Sequence, residues 1–251
     1  MSKKSDFIGI IPSRYGSTRF PGKPLALIDG VMMIERVYRQ ASKALERVVV
    51  ATDDSRIYDA VKGFGGEVVM TSSECRNGTE RVAEAYKSLG VKADVVINIQ
   101  GDEPYIHPDQ ISAVMALFQD TPDVQIGTLA HVFDPKSGFE ALFNPNRVKM
   151  TMDDSGRVLY FSRSIIPYIR NHKWQEWVDS ATFYTHIGLY GFRADVLEEI
   201  IALPPSSLEI AESLEQLRWL QHGYHIKAAV TTIPSCPVDT PEDIDALVTK
   251  V

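Results

Sequence analysis

Cysteine is scarce in this chain. Cys75 and Cys236 stand far apart with no CxxC or Cys/His spacing, which excludes a disulfide framework and a zinc site as organising features. Long apolar runs are also missing, so no stretch reads as a membrane span. Lys3 and Lys4 precede only a short apolar run that Pro12 ends, too short for a signal peptide, and cytoplasmic residence is the default expectation. Excess positive charge is lacking too. A formal net charge of −7 argues against a broad nucleic-acid face, so neither nucleic acid nor membrane is expected as a partner. There is no Walker loop, because Gly22-Lys23 runs into Pro24, no GxGxxG, and no convincing DxD after a strand. What remains is globular in composition, 44% apolar and 24% charged. At 251 residues the chain is long enough for one large α/β domain, with or without an insertion.

The stretch around which the rest is organised is Ile10-Ile11-Pro12-Ser13-Arg14-Tyr15-Gly16-Ser17-Thr18-Arg19-Phe20-Pro21-Gly22-Lys23-Pro24-Leu25. An apolar strand, Phe7 to Ile11, ends in a loop rich in cations, glycine and hydroxyls. Gly16 and Gly22 allow tight turns and close backbone approach, and successive N–H groups in such turns form a nest for anionic oxygens. Arg14, Arg19 and Lys23 add fixed positive charge, and three prolines restrict the loop before any ligand arrives. On an acidic protein this is a local site for a small polyanion. The bland alternative is a solvated surface turn.

Downstream, apolar positions at helical spacing over 31–44 lead to the strand Val48-Val49-Val50-Ala51. Asp53 and Asp54 open a helix that Gly65-Gly66 closes before the strand Glu67 to Met70. Asn77 with Glu80 three residues on predicts a capped helix to Gly90, and Val95 to Ile99 is another buried strand. Strands alternating with amphipathic helices predict a mostly parallel sheet covered on both faces, with ligands beyond the carboxyl ends of its strands. Those ends carry Pro12-Ser13-Arg14, Ala51-Thr52-Asp53-Asp54 and Gln100-Gly101-Asp102-Glu103. After a helix beyond Pro108 and a strand over 125–132 the rhythm changes. Residues from about 134 to 192 read as an insertion of antiparallel strands, with Trp174 and Trp177 either covering a substrate, packing between subunits or packing locally. Ser206 and Glu209 form a capping box for a helix carrying Leu208, Ala211, Leu214 and Leu217, Ile226 to Val230 is a last strand, and Thr240-Pro241 starts a terminal helix.

Several side chains can carry chemistry. Asp102 follows a buried strand, where a carboxylate faces the ligand side of the sheet, and Asp239 precedes the last helix, where its plain role is to help cap it. A bound polyphosphate needs divalent charge, and Mg²⁺ is usually held by one or two carboxylates together with substrate oxygens. His186 alternates with apolar positions on a strand and reads first as a structural residue. Arg163 sits on an apolar strand, where an arginine needs an anion: a substrate carboxylate or an internal partner serves equally.

Together these stretches resemble the 3-deoxy-manno-octulosonate (Kdo) cytidylyltransferases, also called CMP-Kdo synthetases. The similarity runs in order through IPSRYGSTRFPGKPL, VVVATDD, NGTER, NIQGDEP, LYFSRSIIP, HIGLYGFR, SLEQLR and VDTPED. It implies a Rossmann-like nucleotidyltransferase fold, a homodimer formed partly by the inserted strands, and a Mg²⁺-dependent reaction of CTP with Kdo. The products would be CMP-Kdo, for lipopolysaccharide, and pyrophosphate. By this resemblance Arg14 and Lys23 hold the triphosphate, with Gly16 and Ser17 as donors, and Arg19 reaches the substrate. Asn77, Gly78 and Arg81 help form the cytidine pocket, and Asp102 and Asp239 ligate Mg²⁺. Gln100, Arg163, His186, Tyr190, Glu212 and Gln216 shape the sugar-acid site. The chemistry implied is in-line attack of the anomeric hydroxyl on the α-phosphorus, with Arg14, Lys23 and Asp102 as the catalytic set and no dedicated protein base. Rival readings are the same chemistry on 8-amino-Kdo or sialic acid, and a non-catalytic nucleotide-binding module.

Overall fold

In the computed structural model, residues 5–16, 20–119, 121 and 123–248 are described. The first half is a run of strand-helix units. β1 (Phe7–Ser13) is followed by a small ribbon, β2 (Leu27–Ile28) and β3 (Val31–Met32), then by α1 (Met33–Ala41), β4 (Val48–Thr52), α2 (Ser55–Gly63), β5 (Glu67–Met70), α3 (Gly78–Leu89), β6 (Val95–Asn98) and α4 (Pro108–Ala116). β7 (Ile126–Val132) and the short α5 (Phe139–Phe143) lead into β8 (Lys149–Met152) and β9 (Val158–Ser162). After α6 (Trp177–Ser180) the long β10 (Tyr184–Arg193) returns to the main sheet. α7 (Ala194–Ile201), α8 (Ser207–Glu212), α9 (Gln216–Gln221), β11 (Ile226–Thr231) and α10 (Pro241–Val248) complete the chain.

The main sheet runs in the order β11-β7-β10-β6-β1-β4-β5, with the β8–β9 hairpin attached to β10. β6, β1, β4 and β5 pair in parallel, as does β11 with β7, while β10 lies antiparallel between β6 and β7. The expected mostly parallel, helix-covered α/β sheet is therefore what the chain forms. Every residue of β4 is buried, which is why its sequence is continuously apolar rather than alternating. One face packs Ile34, Val37, Ile57, Val61, Ile111 and Val114 from α1, α2 and α4, and the other packs Val82, Leu197, Ile200, Leu217 and Trp219 from α3, α7 and α9. Each such side chain contributes about 1.5–3 kcal/mol when fully buried.

Local signals explain most boundaries. Asn77 accepts from the backbone N–H of Glu80 at 2.9 Å, capping α3, but Glu80 reaches back to Arg76 rather than to Asn77 itself. The Ser206–Glu209 capping box forms as expected. Two expectations differ. The helix read over 31–44 starts only at Met33, because Val31 and Met32 pair with β2. The helix read through Leu217 is two helices, because Ser213 turns left-handed at φ 51° and α9 begins at Gln216. The carbonyls of Glu212 and Ser213 released by that turn accept from Arg163 Nε and Nη2 at 2.6 and 3.2 Å.

Candidate active site

The carboxyl ends of β1 and β6 and the start of α3 open into one cleft of about 400 Å³. Its floor needs glycine: a Cβ on Gly101 would lie 2.9 Å from the carbonyl oxygen of Pro12, so only a residue without a side chain lets the β6 turn sit against the end of β1. In the loop between Arg14 and Lys23, Gly22 adopts φ 73° beneath the Tyr15 ring, with its N–H donating to the Tyr15 carbonyl at 2.9 Å. Tyr15 is held in turn under the Arg56 guanidinium, 3.3 Å from the ring centroid. The loop is thereby pinned at its base before any ligand binds.

Lys23 is the centre of the charge arrangement. Its ammonium donates to Asp102 Oδ2 at 2.9 Å and to the Val238 carbonyl at 2.7 Å, and lies 3.9 Å from Asp239 Oδ1. Two acids far apart in sequence therefore converge on one cation. Arg14 lines the same cleft and is exposed. Gly16, at the loop's edge, is exposed as well, whereas Ser17 and Arg19 lie outside the described residues.

Opposite the cations, Asn77, Gly78 and Arg81 line the cleft from the start of α3. Arg81 is buried and already engaged. It donates to Asp53 Oδ2 at 2.8 Å, Thr71 Oγ1 at 2.6 Å and the Ser72 carbonyl at 3.2 Å. It ties the ends of β4 and β5 together behind the cleft and offers the ligand shape rather than free charge. Ser13, Cys75 and Arg76 also line the cleft, though the sequence reading gave none of them a site role of its own. The Ser13 hydroxyl is buried without a hydrogen-bond partner among the described residues. Cys75 donates to Glu84 Oε2 at 3.1 Å, and burial, then that carboxylate, push its thiol up to about 11. Position at a strand end was the available signal for Ser13; nothing in the sequence marked the other two.

Gln100 connects this cleft to a second group of residues. Its amide nitrogen donates to the Gly188 carbonyl at 3.0 Å, where the pairing of β10 with β7 is interrupted. At the same irregularity the Thr128 hydroxyl donates to the Leu189 carbonyl at 2.9 Å and lies 3.1 Å from His186 Nε2. The His186 ring packs between Phe161 and Tyr190 although part of the residue reaches the surface, and burial lowers its pKa to about 3. Tyr190 is buried, its hydroxyl has no partner among the described residues, and burial followed by the nearby Glu215 raises its pKa well above the usual value.

Arg163 meets carbonyls rather than a carboxylate. Besides the two already named it donates from Nη1 to Pro145 at 3.1 Å, spending three of its five donors on backbone. Glu212 accepts from the Ser162 hydroxyl at 2.6 Å and the Arg163 N–H at 2.9 Å. Gln216 is buried at the start of α9. These residues lie around β9, β10 and the α8–α9 turn, outside the wall of the cation cleft, with Gln100 as the shared member.

The cytidylyltransferase family model matches residues 8–228. A 3-deoxy-manno-octulosonate cytidylyltransferase from Parabacteroides distasonis is 57% identical, covering 95% of both chains, and one from Bacteroides thetaiotaomicron is 52% identical, again covering 95% of each. The chain belongs to this cytidylyltransferase family. The structure of CMP:2-keto-3-deoxy-manno-octonic acid synthetase complexed with CTP superposes with a TM-score of 0.89 at 38% identity, covering 98% of each chain. A cytidylyltransferase from Leptospira borgpetersenii, at 16% identity and a TM-score of 0.63, shares the fold. As a member of the family this chain is a nucleotidyltransferase.

Proposed function

We propose that this enzyme activates Kdo with CTP, giving CMP-Kdo and pyrophosphate for lipopolysaccharide assembly in the cytoplasm. The observation that carries the reading is the convergence of Lys23, Asp102 and Asp239 in the cleft that Asn77, Gly78 and Arg81 close on the other side. The relatives' names supply Kdo, and the complex described for the similar synthetase supplies CTP.

The donor set fits Mg²⁺. The two carboxylates of Asp102 and Asp239 already gather around a single cation, the Lys23 ammonium. That is the pattern for a small hard ion completed by substrate oxygens and water. Asp102 and Asp239 would hold it, and when bound it supplies positive charge at the α-phosphate and acidifies the attacking hydroxyl. The chain's own residues do the rest. Arg14 and Lys23 take up the charge of the departing pyrophosphate. Asn77 and Gly78 seat the cytidine, with Arg81 keeping the pocket's rear wall in place. Gln100, His186 and Tyr190 face the sugar acid, and the neutral His186 serves as a fixed polar contact rather than a base. Glu212 and Arg163 hold the turn before Gln216. Positioning supplies most of the rate.

The subregion from about 134 to 192 would form a homodimer contact. Phe143, Tyr168 and Trp174 are 62, 75 and 50% exposed there, and Trp174 packs against Phe139 with its ring tilted, 4.6 Å between ring centroids. Trp177 is instead buried beside Phe139. Sedimentation of Trp174→Lys as a dimer as tight as the parent would remove this face from the contact. The activity itself is tested by pyrophosphate release from CTP with Mg²⁺ and Kdo, 8-amino-Kdo or sialic acid in parallel. Release with Kdo is expected. Release only with another acid would reassign the substrate, and none with any acid would leave a nucleotide-binding module.

A further inference from the structure

Asp102 and Glu103 are adjacent acids whose side chains part company. Asp102 faces Lys23 across the cleft. Glu103 turns away and is buried, and its two carboxylate oxygens accept from the Ser235 hydroxyl and from the Cys236 N–H, the latter at 3.2 Å. Residues 233–239 form the strap that crosses from β11 to α10 and carries Asp239. Several contacts hold this strap to the body of the protein, and near its end the Val238 side chain is buried with Ile28 and Met33. Gln110 donates to the Ile233 carbonyl at 3.1 Å, the Val238 N–H donates to the Asp102 carbonyl at 2.9 Å, and Lys23 holds the Val238 carbonyl. Glu103 supplies the two bonds in the middle.

We infer that Glu103 is a positioning residue: by clamping Ser235 and Cys236 it sets Asp239 at the distance from Asp102 at which both can serve one divalent ion. The inference rests on the reading of Asp102 and Asp239 as the metal-binding carboxylates. The chain chemistry makes the clamp effective. The same turn that presents Asp102 presents Glu103 to the opposite side, so a strap bound to Glu103 is indexed to Asp102 through a single peptide bond. A strap without those bonds retains its ends but loses its middle, and Asp239 is three residues beyond Cys236. Glu103 does not touch the cleft itself, and Lys23, Asp102 and Asp239 line it without Glu103.

The hydrogen-bonding inventory gives a rescue test. In Glu103→Gln the amide oxygen accepts from the Cys236 N–H, and the Ser235 hydroxyl rotates to accept from the amide nitrogen, so both bonds survive. Glu103→Ala loses both and Ser235→Ala loses one. The measurement is Mn²⁺ binding to the full-length enzyme in the presence of CTP, read by electron paramagnetic resonance without turnover. Mn²⁺ dissociation constants should rise about tenfold in Glu103→Ala, in the range seen when groups that orient metal ligands are removed, and less in Ser235→Ala. Glu103→Gln should stay within about twofold of the parent under the same logic. CTP binding in EDTA should be unchanged throughout, and KM for Mg²⁺ should rise more than KM for the sugar acid. Mn²⁺ affinity unaltered in both alanine variants overturns the inference, as does an equal loss of metal-free CTP binding, which would mark a general prop of the cleft. Asp102→Asn and Asp239→Asn are the reference variants. If they leave Mn²⁺ binding intact, the metal reading itself has failed; if they abolish it while Glu103→Ala does not, only the positioning role has failed.

Discussion

Replacing Lys23 with methionine separates what the lysine does in the free enzyme from what it does in turnover. In the free enzyme its ammonium sits 2.9 Å from Asp102 and 3.9 Å from Asp239, occupying the space between the two carboxylates. Coulomb's law gives about 3 kcal/mol for the 2.9 Å pair with an effective dielectric of about 40, between a protein site and water. The Asp102 side chain is about a third exposed, at 32%, so screening reduces this to roughly 1–2 kcal/mol. A divalent ion arriving without nucleotide must compete against that interaction. Lys23→Met should therefore bind Mn²⁺ about tenfold more tightly than the parent in the absence of CTP, since about 1.4 kcal/mol is a factor of ten. Pyrophosphate release should nevertheless fall by about 100-fold or more, because the charge on the leaving group loses its fixed donor. The two effects have opposite sign. Paramagnetic titration of the nucleotide-free protein measures the first, and a coupled pyrophosphate assay the second. Unchanged or weaker Mn²⁺ binding would refute the shared position, and near-normal turnover would sink the catalytic role.

The other expectations are quicker to state. Asp102→Asn should cut turnover by orders of magnitude while thermal unfolding moves by only a few degrees; near-normal turnover removes it from the metal site. His186, held at about 3 by burial when folded, titrates near 6.5 when unfolded, so the unfolded chain binds the extra proton between those values. Stability is then full above pH about 6.5 and falls as the pH drops below it, with a limiting slope of about 1.4 kcal/mol per pH unit. His186→Gln should flatten urea-unfolding stability measured from pH 7 to 4.5, and parallel profiles would show that the imidazole is not the source. With its thiol pushed up to about 11, Cys75 should react with iodoacetamide at pH 8 about 100-fold more slowly than a free thiol, as followed by site-resolved mass spectrometry, and Glu84→Gln should speed it. Ser13→Ala should raise the stability of the free enzyme by about 1 kcal/mol, because a buried hydroxyl without a partner is removed. A lower melting temperature would show that the hydroxyl is bonded.

How far the site was legible depended on how far apart its parts lie in the chain. Local rules reach what one segment decides for itself. The Asn77 cap, the Ser206 box, the buried run of β4 and the placement of Asp102 just past β6 follow from spacing and residue type, and all of them are in the structure. Lys23 and Asp102 were identifiable singly, as a cation in a glycine-bearing loop and an acid at a strand end. Their contact was not, because it depends on β1 and β6 being neighbours in the sheet, and strand order is set by crossovers that periodicity does not encode. The same holds for β10: its alternation marks a strand, but its antiparallel insertion between β6 and β7, with an irregular register that frees the Gly188 carbonyl for Gln100, is a tertiary outcome. Arg163 shows the limit from the other direction. Its composition argument demanded an anion, yet the demand is met by carbonyls freed where Ser213 turns left-handed, a break invisible in a segment whose leucines keep helical spacing. Glu103 was overlooked beside Asp102 because its partners lie more than a hundred residues away on a strap that has no secondary structure and hence no pattern to read. Glu103 is hard to find from sequence because it joins two distant segments, the turn after β6 and the strap before α10, and no local pattern in either one marks the contact.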